Sequence, residues 1–442
     1  MTMAETERKP AIFLLSLGCS KNTVDSERLM AQALASGLTF TDDADEADII
    51  LINTCGFIED AKEESINETL AAIGKKEDGG VREVYVMGCL VELYRNELAE
   101  EIPEVDGWFG TRELPEVLVA IGAKYREELF DRRELLTPPH YAFLKISEGC
   151  NRHCSFCSIP KIRGPYVSQP VEQLLREAAL LQEQGVKELN LIAQDISVYG
   201  YDLYGKSALN DLTLRLSDMG FDWIRLLYAY PLNFPLEVID TMRERRNVCN
   251  YLDMPLQHIN DRILRSMQRG IGRKATEQLI DDIRQRNPDI RLRTTMIAGY
   301  PGETRGEFEE LLDFVRQTRF DRLGCFPYRH EEHAPAYALD DTVSDEEKEE
   351  RVSELMELQE GISASLNRKF EDQTLKVLID RIEENVAYGR TEYDAPEVDN
   401  DVIIEIGDEV AKEGDFRQVI VEDSTAYELF GRIGEKRNKK QQ

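Results

Sequence analysis

Basic side chains are scarce in this chain. Its 442 residues carry 54 Lys and Arg against 85 Asp and Glu, a formal net charge of −31. So strong an acidic excess argues against holding nucleic acid mainly through its phosphates, which requires a basic face. It fits a protein that repels polyanions or recruits a basic partner. Long apolar runs are missing too: no stretch approaches the roughly 20 residues of a membrane span. Glycine (28) and proline (16) stand at ordinary levels, which removes collagen-like and low-complexity classes. The apolar share of 42% is ample for several cores, and at about 150 residues each the length suggests roughly three domains.

A convincing export signal is also lacking. Ala11 to Leu17 is a short apolar run ending in Gly18-Cys19, a faint likeness to a lipoprotein leader. Glu5 and Glu7 precede it, and the run is at the short limit for a signal core. A buried strand followed by a turn accounts for it better. The expected location is therefore cytoplasmic. In that reducing compartment the eight cysteines are expected to bind metal, do redox chemistry or fill cores rather than form disulfides.

The cysteines fall into three sets. Cys19, Cys55 and Cys89 follow the apolar runs Ala11–Leu17, Asp48–Ile52 and Val84–Met87, with helix-like sequence over Thr23–Ser36, Glu59–Ile73 and Glu92–Glu100 between and after them. This alternation indicates βαβ units and a parallel sheet. Each thiol then sits at a strand's carboxyl end beside a glycine, where open α/β sheets bind ligands. One such cysteine reads as inert core; three in the same topological position point to convergence on a metal or cluster. Cys249 and Cys325 have no partners and read as core residues.

The remaining set is Cys150-Asn-Arg-His-Cys154-Ser-Phe-Cys157, three thiols within eight residues after the strand Tyr141–Ile146. Thiolates are soft ligands for iron–sulfur clusters or zinc. A structural zinc would take four ligands, usually as two pairs, and no second pair follows. His153 is an awkward fourth ligand because it adjoins Cys154. Three cysteines on a 4Fe–4S cluster leave one iron open to a substrate or cofactor.

Cys-x3-Cys-x2-Cys with an aromatic before the last cysteine resembles the radical S-adenosylmethionine superfamily motif. Its context, Ile-Ser-Glu-Gly-Cys150 through Cys157-Ser-Ile-Pro-Lys-Ile-Arg-Gly164, is similar to the methylthiotransferase branch, which also carries three N-terminal cysteines in an α/β domain. The resemblance spans roughly residues 10 to 436. It implies a methylthiotransferase N-terminal domain over 10–126, a radical S-adenosylmethionine core over 136–367 and a TRAM domain over 370–436. The implied fold is α/β multidomain: a parallel α/β sheet, a partial (β/α)6 barrel and a small antiparallel, OB-like β-barrel. It further implies two 4Fe–4S clusters, on Cys19, Cys55 and Cys89 and on Cys150, Cys154 and Cys157, with S-adenosylmethionine as cosubstrate. One cluster cleaves S-adenosylmethionine reductively to a 5′-deoxyadenosyl radical; the other presents a methylated sulfur to the substrate radical. No protein acid or base is nominated as catalytic.

Beyond the thiol loop, strands are expected at Tyr141–Ser147, Glu188–Ala193, Trp223–Ala229, Tyr251–Met254, Arg291–Ile297 and Leu323–Phe326, too few for a closed eight-stranded barrel. By superfamily analogy Phe156 packs on the adenine and Gln194, before Asp195, meets the methionine part. Gly299 and Glu303, in a turn that opens a helix, lie by the same analogy beside the adenosyl group; a plain strand–helix turn is the competing reading. His258 reads as structural more readily than functional. His330 and His333 suggest either a metal site or, more simply, a solvated loop, and the family's usual glycine-containing turn is missing there.

A long charged helix, Val343–Phe370, leads to short β-type runs at Thr374–Asp380, Val386–Glu392, Val402–Ile406, Asp408–Lys412 and Phe416–Glu422, which suggest an OB-like barrel. Residues 371–430 hold five basic and eighteen acidic side chains, so this barrel should repel phosphates and either present a solvated acidic surface or dock a basic protein. Only residues 431–442 form a basic tail. Two substrate classes compete within the family: an adenosine in tRNA, and the β-carbon of an aspartate in small-subunit ribosomal protein twelve, the RimO type. Gln194-Asp195-Ile-Ser-Val-Tyr199-Gly200 and Tyr251-Leu-Asp253-Met-Pro255-Leu-Gln257-His258 resemble the ribosomal-protein branch, and the acidic third domain agrees, because ribosomal proteins are basic. The expected partners are that protein and an electron donor such as a flavodoxin, with tRNA and membranes disfavoured. A non-catalytic iron–sulfur sensor is the rival from another class.

Overall fold

Continuous apolar runs become strands buried on both faces, and this computed structural model, which describes residues 10–406 and 411–434, contains two parallel sheets and one small barrel. In the first sheet the strands run Thr39–Phe40, Ala11–Ser16, Ile49–Thr54, Glu83–Gly88 and Gly107–Phe109 in spatial order, all parallel. Ile49–Thr54 is buried along its whole length, as a central strand between helix layers must be. The two short edge strands carry too little pattern to be foreseen. Numbered along the chain, the order is 2-1-3-4-5. Its switch point lies between Ala11–Ser16 and Ile49–Thr54, the place where such sheets bind ligands.

The second sheet lines up six parallel strands in chain order: Tyr141–Lys145, Glu188–Ile192, Trp223–Leu226, Val248–Asp253, Arg291–Ala298 and Arg322–Pro327. It is the expected partial barrel. Outward side chains such as Leu189, Ile224 and Leu252 pack under helices that include Val171–Glu183 and Arg305–Thr318. Inward ones, among them Phe143, Ile192 and Tyr251, form a separate cluster with Leu378 and Ala395 of the third unit. Cys249 and Cys325 are buried, as expected of core residues. The long helix is Asp345–Asn367, and it packs on the last strand with Leu355 fully buried.

Two networks of buried charge lock the units together. Arg133, in the connector, donates from Nε to Glu27 of the first unit and from Nη1 to Glu177 of the partial barrel, each at 2.9 Å, and Arg28 reaches the same Glu177 at 2.9 Å. All four residues are buried. At the other end Glu188 is held by Arg225 at 2.9 Å and by Arg390 at 2.8 Å.

The third unit is a closed five-stranded barrel of Thr374–Glu383, Val386–Arg390, Asp401–Glu405, Phe416–Ser424 and Glu428–Ile433. Its pairings are antiparallel except that Asp401–Glu405 and Glu428–Ile433 run parallel, which is how five strands close the circle. The run expected at Asp408–Lys412 falls largely outside the described residues, as does the basic tail from residue 435. The strand Glu428–Ile433 takes the fifth place. Part of the acidity is spent on docking: Asp394 pairs with Arg322 at 2.6 Å, Asp399 with Arg293 at 3.3 Å, and Asp380 with His140 at 2.9 Å. No described helix is long and apolar enough to cross a membrane.

Candidate functional site

The carboxyl ends of both parallel sheets face one cavity of about 540 Å³. All six cysteines of the two triads line it. Cys19 is the residue before the helix Ser20–Ala35, Cys55 follows the strand Ile49–Thr54, and Cys89 opens the helix Cys89–Glu101. The turns are tight enough to demand glycine at two places. Gly18 sits at φ +88°, where a Cβ would come within 2.7 Å of Cys55 Cβ; Gly88 sits at φ +108°, where a Cβ would meet Asn53 Oδ1 at 2.5 Å. Asn22 holds the turns in place by donating to Leu17 O at 3.0 Å and Thr54 O at 2.9 Å.

The second triad stands on the loop after Tyr141–Lys145. Arg269 Nη1 donates to Cys154 Sγ at 3.4 Å, and Tyr230 Oη lies 3.7 Å from the same sulfur. The guanidinium groups of Arg152 and Arg269 each stand 4.1 Å from the Tyr230 ring centre. Arg152 is aimed by Asp195, which accepts from its Nε at 2.8 Å. His153 is exposed and does not line the cavity, so it offers no fourth ligand.

Burial pushes the thiols of Cys89 and Cys157 up to about 12 and that of Cys150 up to about 11, with Cys55 moved the same way. Thiolates at buried positions such as Cys89 and Cys157 need a positive centre beside them, which iron supplies. Among the described residues no three Cys, His, Asp or Glu side chains are close enough to share a single ion. A cuboidal cluster asks for wider spacing, since each thiolate takes a different iron. Three thiolates per set with no fourth protein ligand fit a 4Fe–4S cluster better than a structural zinc, which takes four.

Two further observations mark a small-molecule subsite. Gln194 Oε1 and Gln257 Oε1 are buried on the cavity wall without a hydrogen-bond partner. Tyr228 and Gln257 hold left-handed backbone at φ 66° and 75°, although neither is glycine. Strain of this kind, of order 1–3 kcal/mol each, gathers at ligand sites. The unmet carbonyl oxygens suit a ligand ammonium, and the volume and largely apolar walls suit a nucleoside-sized molecule.

Phe156 and Gln194 line this cavity; Gly299 and Glu303 do not. Glu303 is buried elsewhere: Oε2 accepts from Gly299 N at 3.1 Å and Tyr300 N at 3.3 Å, and Oε1 accepts from Arg351 at 2.6 Å. The next helix starts later than the sequence suggests, at Arg305, and its first turn is already capped by Thr304 and Glu307. His258 is buried with Nδ1 accepting from Asn260 N at 3.0 Å and Nε2 lying 3.5 Å from Glu303, a structural role. The His330–His333 loop is not merely solvated. His333 packs edge-on against Tyr94 at 4.8 Å, and Glu331 pairs with Lys62 at 2.5 Å, so it ties the partial barrel to the first unit.

Family models match three segments: the Uncharacterized protein family UPF0004 over residues 11–110, the Radical SAM superfamily over 144–315 and the TRAM domain over 373–433. The ribosomal protein uS12 methylthiotransferase RimO of Chlorobaculum tepidum is 91% identical over 427 residues, covering 97% of this chain and 98% of that protein. Its namesake in Chlorobium limicola is 75% identical over 422 residues, covering 96% and 98%. The chain belongs to the RimO methylthiotransferase family. Membership in the radical S-adenosylmethionine superfamily carries with it S-adenosylmethionine and a 4Fe–4S cluster. Among solved structures, the radical S-adenosylmethionine methyltransferase TsrM from Kitasatospora setae shares the fold at 14% identity and a TM-score of 0.53, over 74% of this chain and 76% of that one. The cobalamin-dependent radical enzyme OxsB shares it at 13% identity and a TM-score of 0.50, over 78% and 56%.

Proposed function

We propose that the chain inserts a methylthio group at the β-carbon of an aspartate in ribosomal protein uS12, the protein named for its relatives, and does so in the cavity where the two thiol triads meet. That meeting carries the reading. Two sets of three cysteines on separate sheets share one cavity, as two cofactors acting on the same substrate atom require. In this reading Cys150, Cys154 and Cys157 hold one 4Fe–4S cluster with an open iron, and Cys19, Cys55 and Cys89 hold a second. When bound, these groups supply reductive cleavage of S-adenosylmethionine and the sulfur that is transferred.

The chain's own residues bind, orient and exclude water. Gln194 and Gln257 offer buried acceptors to the ammonium of S-adenosylmethionine, and Phe156 offers a ring face to its adenine. Arg152 brings positive charge to the carboxylate side, and Arg269 donates to Cys154 Sγ. Phe57 and Ile58, on the wall near Cys55, are part-exposed apolar side chains and form the mouth through which a protein loop would enter. The exposed acids of the third unit, Glu383, Glu405 and Glu422 among them, favour encounter with a basic protein and disfavour tRNA. A low-potential donor such as a flavodoxin is the proposed electron source, and the cytoplasm the proposed location.

Iron content tests the assignment. Replacing Cys150, Cys154 and Cys157 together with Ala should halve the iron and abolish 5′-deoxyadenosine formation. Replacing Cys19, Cys55 and Cys89 should also halve the iron but leave 5′-deoxyadenosine formation in place. Unchanged iron in either variant removes that triad from the reading.

A further inference from the structure

Arg163 ends the short helix that follows the second thiol loop, yet its side chain reaches away from that loop. Nη2 donates to Cys89 Sγ of the other triad at 3.4 Å and also to Asn22 Oδ1. Nη1 donates to Asp25 Oδ2 at 2.6 Å and lies 3.5 Å from Glu148 Oε2. The far side of Glu148 accepts from Gln194 Nε2 at 2.8 Å. A continuous polar chain thus runs from a thiol of the first triad, through a guanidinium on the helix after the second triad, to a residue of the small-molecule subsite. Lys145 completes the group, bonded to Asp25 and at 2.6 Å to Glu148. Two anions and two cations balance, and of these four only Arg163 is bonded to a sulfur.

A guanidinium is always charged, and its N–H bonds to an anionic acceptor are about twice as strong as neutral ones. Hydrogen bonds to ligating sulfurs and local charge are what set a cluster's reduction potential. We propose that Arg163 is a positioning residue that raises the reduction potential of the cluster on Cys19, Cys55 and Cys89, by aiming a charge-assisted N–H···S bond at Cys89, and that couples this ligand to the S-adenosylmethionine side of the cavity. The proposal rests on the cluster assignment made above. Asp25 sets the strength of the effect, because it partly neutralises the guanidinium and fixes its direction.

The test uses the full chain carrying C150A, C154A and C157A, so that the first-triad cluster alone is titrated. After anaerobic reconstitution, iron is counted and the potential is read by electron paramagnetic resonance at a series of poises. R163Q should lower the ratio of reduced to oxidised cluster at a fixed poise at least tenfold, which is about 59 mV for a one-electron couple. R163K, which keeps a point charge, should lose less than half of that shift. D25N should move the potential the opposite way. A structural role alone would change iron content without opposite shifts. R163Q that keeps its iron at an unmoved potential overturns the proposal. If R163Q holds no cluster, D25N decides: an upward shift supports the proposal and no shift overturns it. Iron missing from the parent triple variant overturns the cluster assignment itself, a separate and visible failure.

Discussion

Replacing Arg133 with Met should let the N-terminal sheet come apart from the partial barrel before either unfolds fully. Arg133 is the single cation between Glu27 and Glu177, with bonds of 2.9 Å to each and a further bond to Phe143 O. Its side chain and both carboxylates have no solvent exposure. After the substitution Glu177 keeps Arg28, but Glu27 is left with the Leu136 backbone N–H at 2.9 Å as its remaining anchor. Removing one member of a buried pair costs about 3–5 kcal/mol, because the other charge stays buried and unmatched. At a urea slope of about 2 kcal/mol per M, that lowers a midpoint by roughly 2 M. The two tryptophans make the assay specific. Trp108 lies on the edge strand of the first sheet, and Trp223 packs at 4.8 Å against Phe416 of the third unit. W223F and W108F backgrounds therefore report the two ends separately by fluorescence. In R133M the Trp108 transition should fall well below the Trp223 transition. As a control, R305A, which removes an exposed pair with Glu354, should change the stability read from either transition by at most about 0.5 kcal/mol. A loss below 1 kcal/mol in R133M, or two transitions that still coincide, would refute the reasoning.

Two other outcomes follow from the same contacts. Burial pushes the Asp25 carboxyl up, but Lys145 and Arg163 outweigh it and hold the group down at about 2 from 3.8. A carboxyl lowered on folding stabilises above its unfolded value and loses that contribution as pH falls from about 4 to about 2, here about 2 kcal/mol; urea midpoints at pH 5 and 2.5 should show this drop, and D25N should flatten it. Gly18→Ala forces a Cβ into left-handed backbone and onto Cys55, so it should lose the first-triad iron, about half the total, while 5′-deoxyadenosine formation persists.

The features legible in the sequence were those with short-range signals. The Cys150–Cys157 spacing and the strands that each end in a cysteine beside a glycine are patterns within a dozen residues, and they single out six thiols that line one cavity. The six strands of the partial barrel are short β-type segments between helical stretches, several with a charged or polar residue inside, as in Glu188–Ile192 and Arg291–Ala298, and the strand–helix alternation makes them legible. What escaped depends on partners far along the chain. Arg163 has no local signal beyond the motif around Cys157, since its partners Cys89 and Asp25 lie 74 and 138 positions away. Arg152, Tyr230 and Arg269 stack only once separate strand ends meet. The partner of Glu303, Arg351, is 48 positions downstream and has no local signal. The last barrel strand, Glu428–Ile433, mixes charge and glycine with its apolar positions, so period-2 alternation is weak there.

The central claim is that two triads in one cavity transfer a methylthio group to uS12. Mass spectrometry after anaerobic turnover tests it most directly. The reconstituted chain is given reductant and S-adenosylmethionine and offered small ribosomal subunits and tRNA together. A methylthio mass gain is expected on an aspartate of uS12 and none on tRNA. A gain on a tRNA adenosine with uS12 unmodified would contradict it.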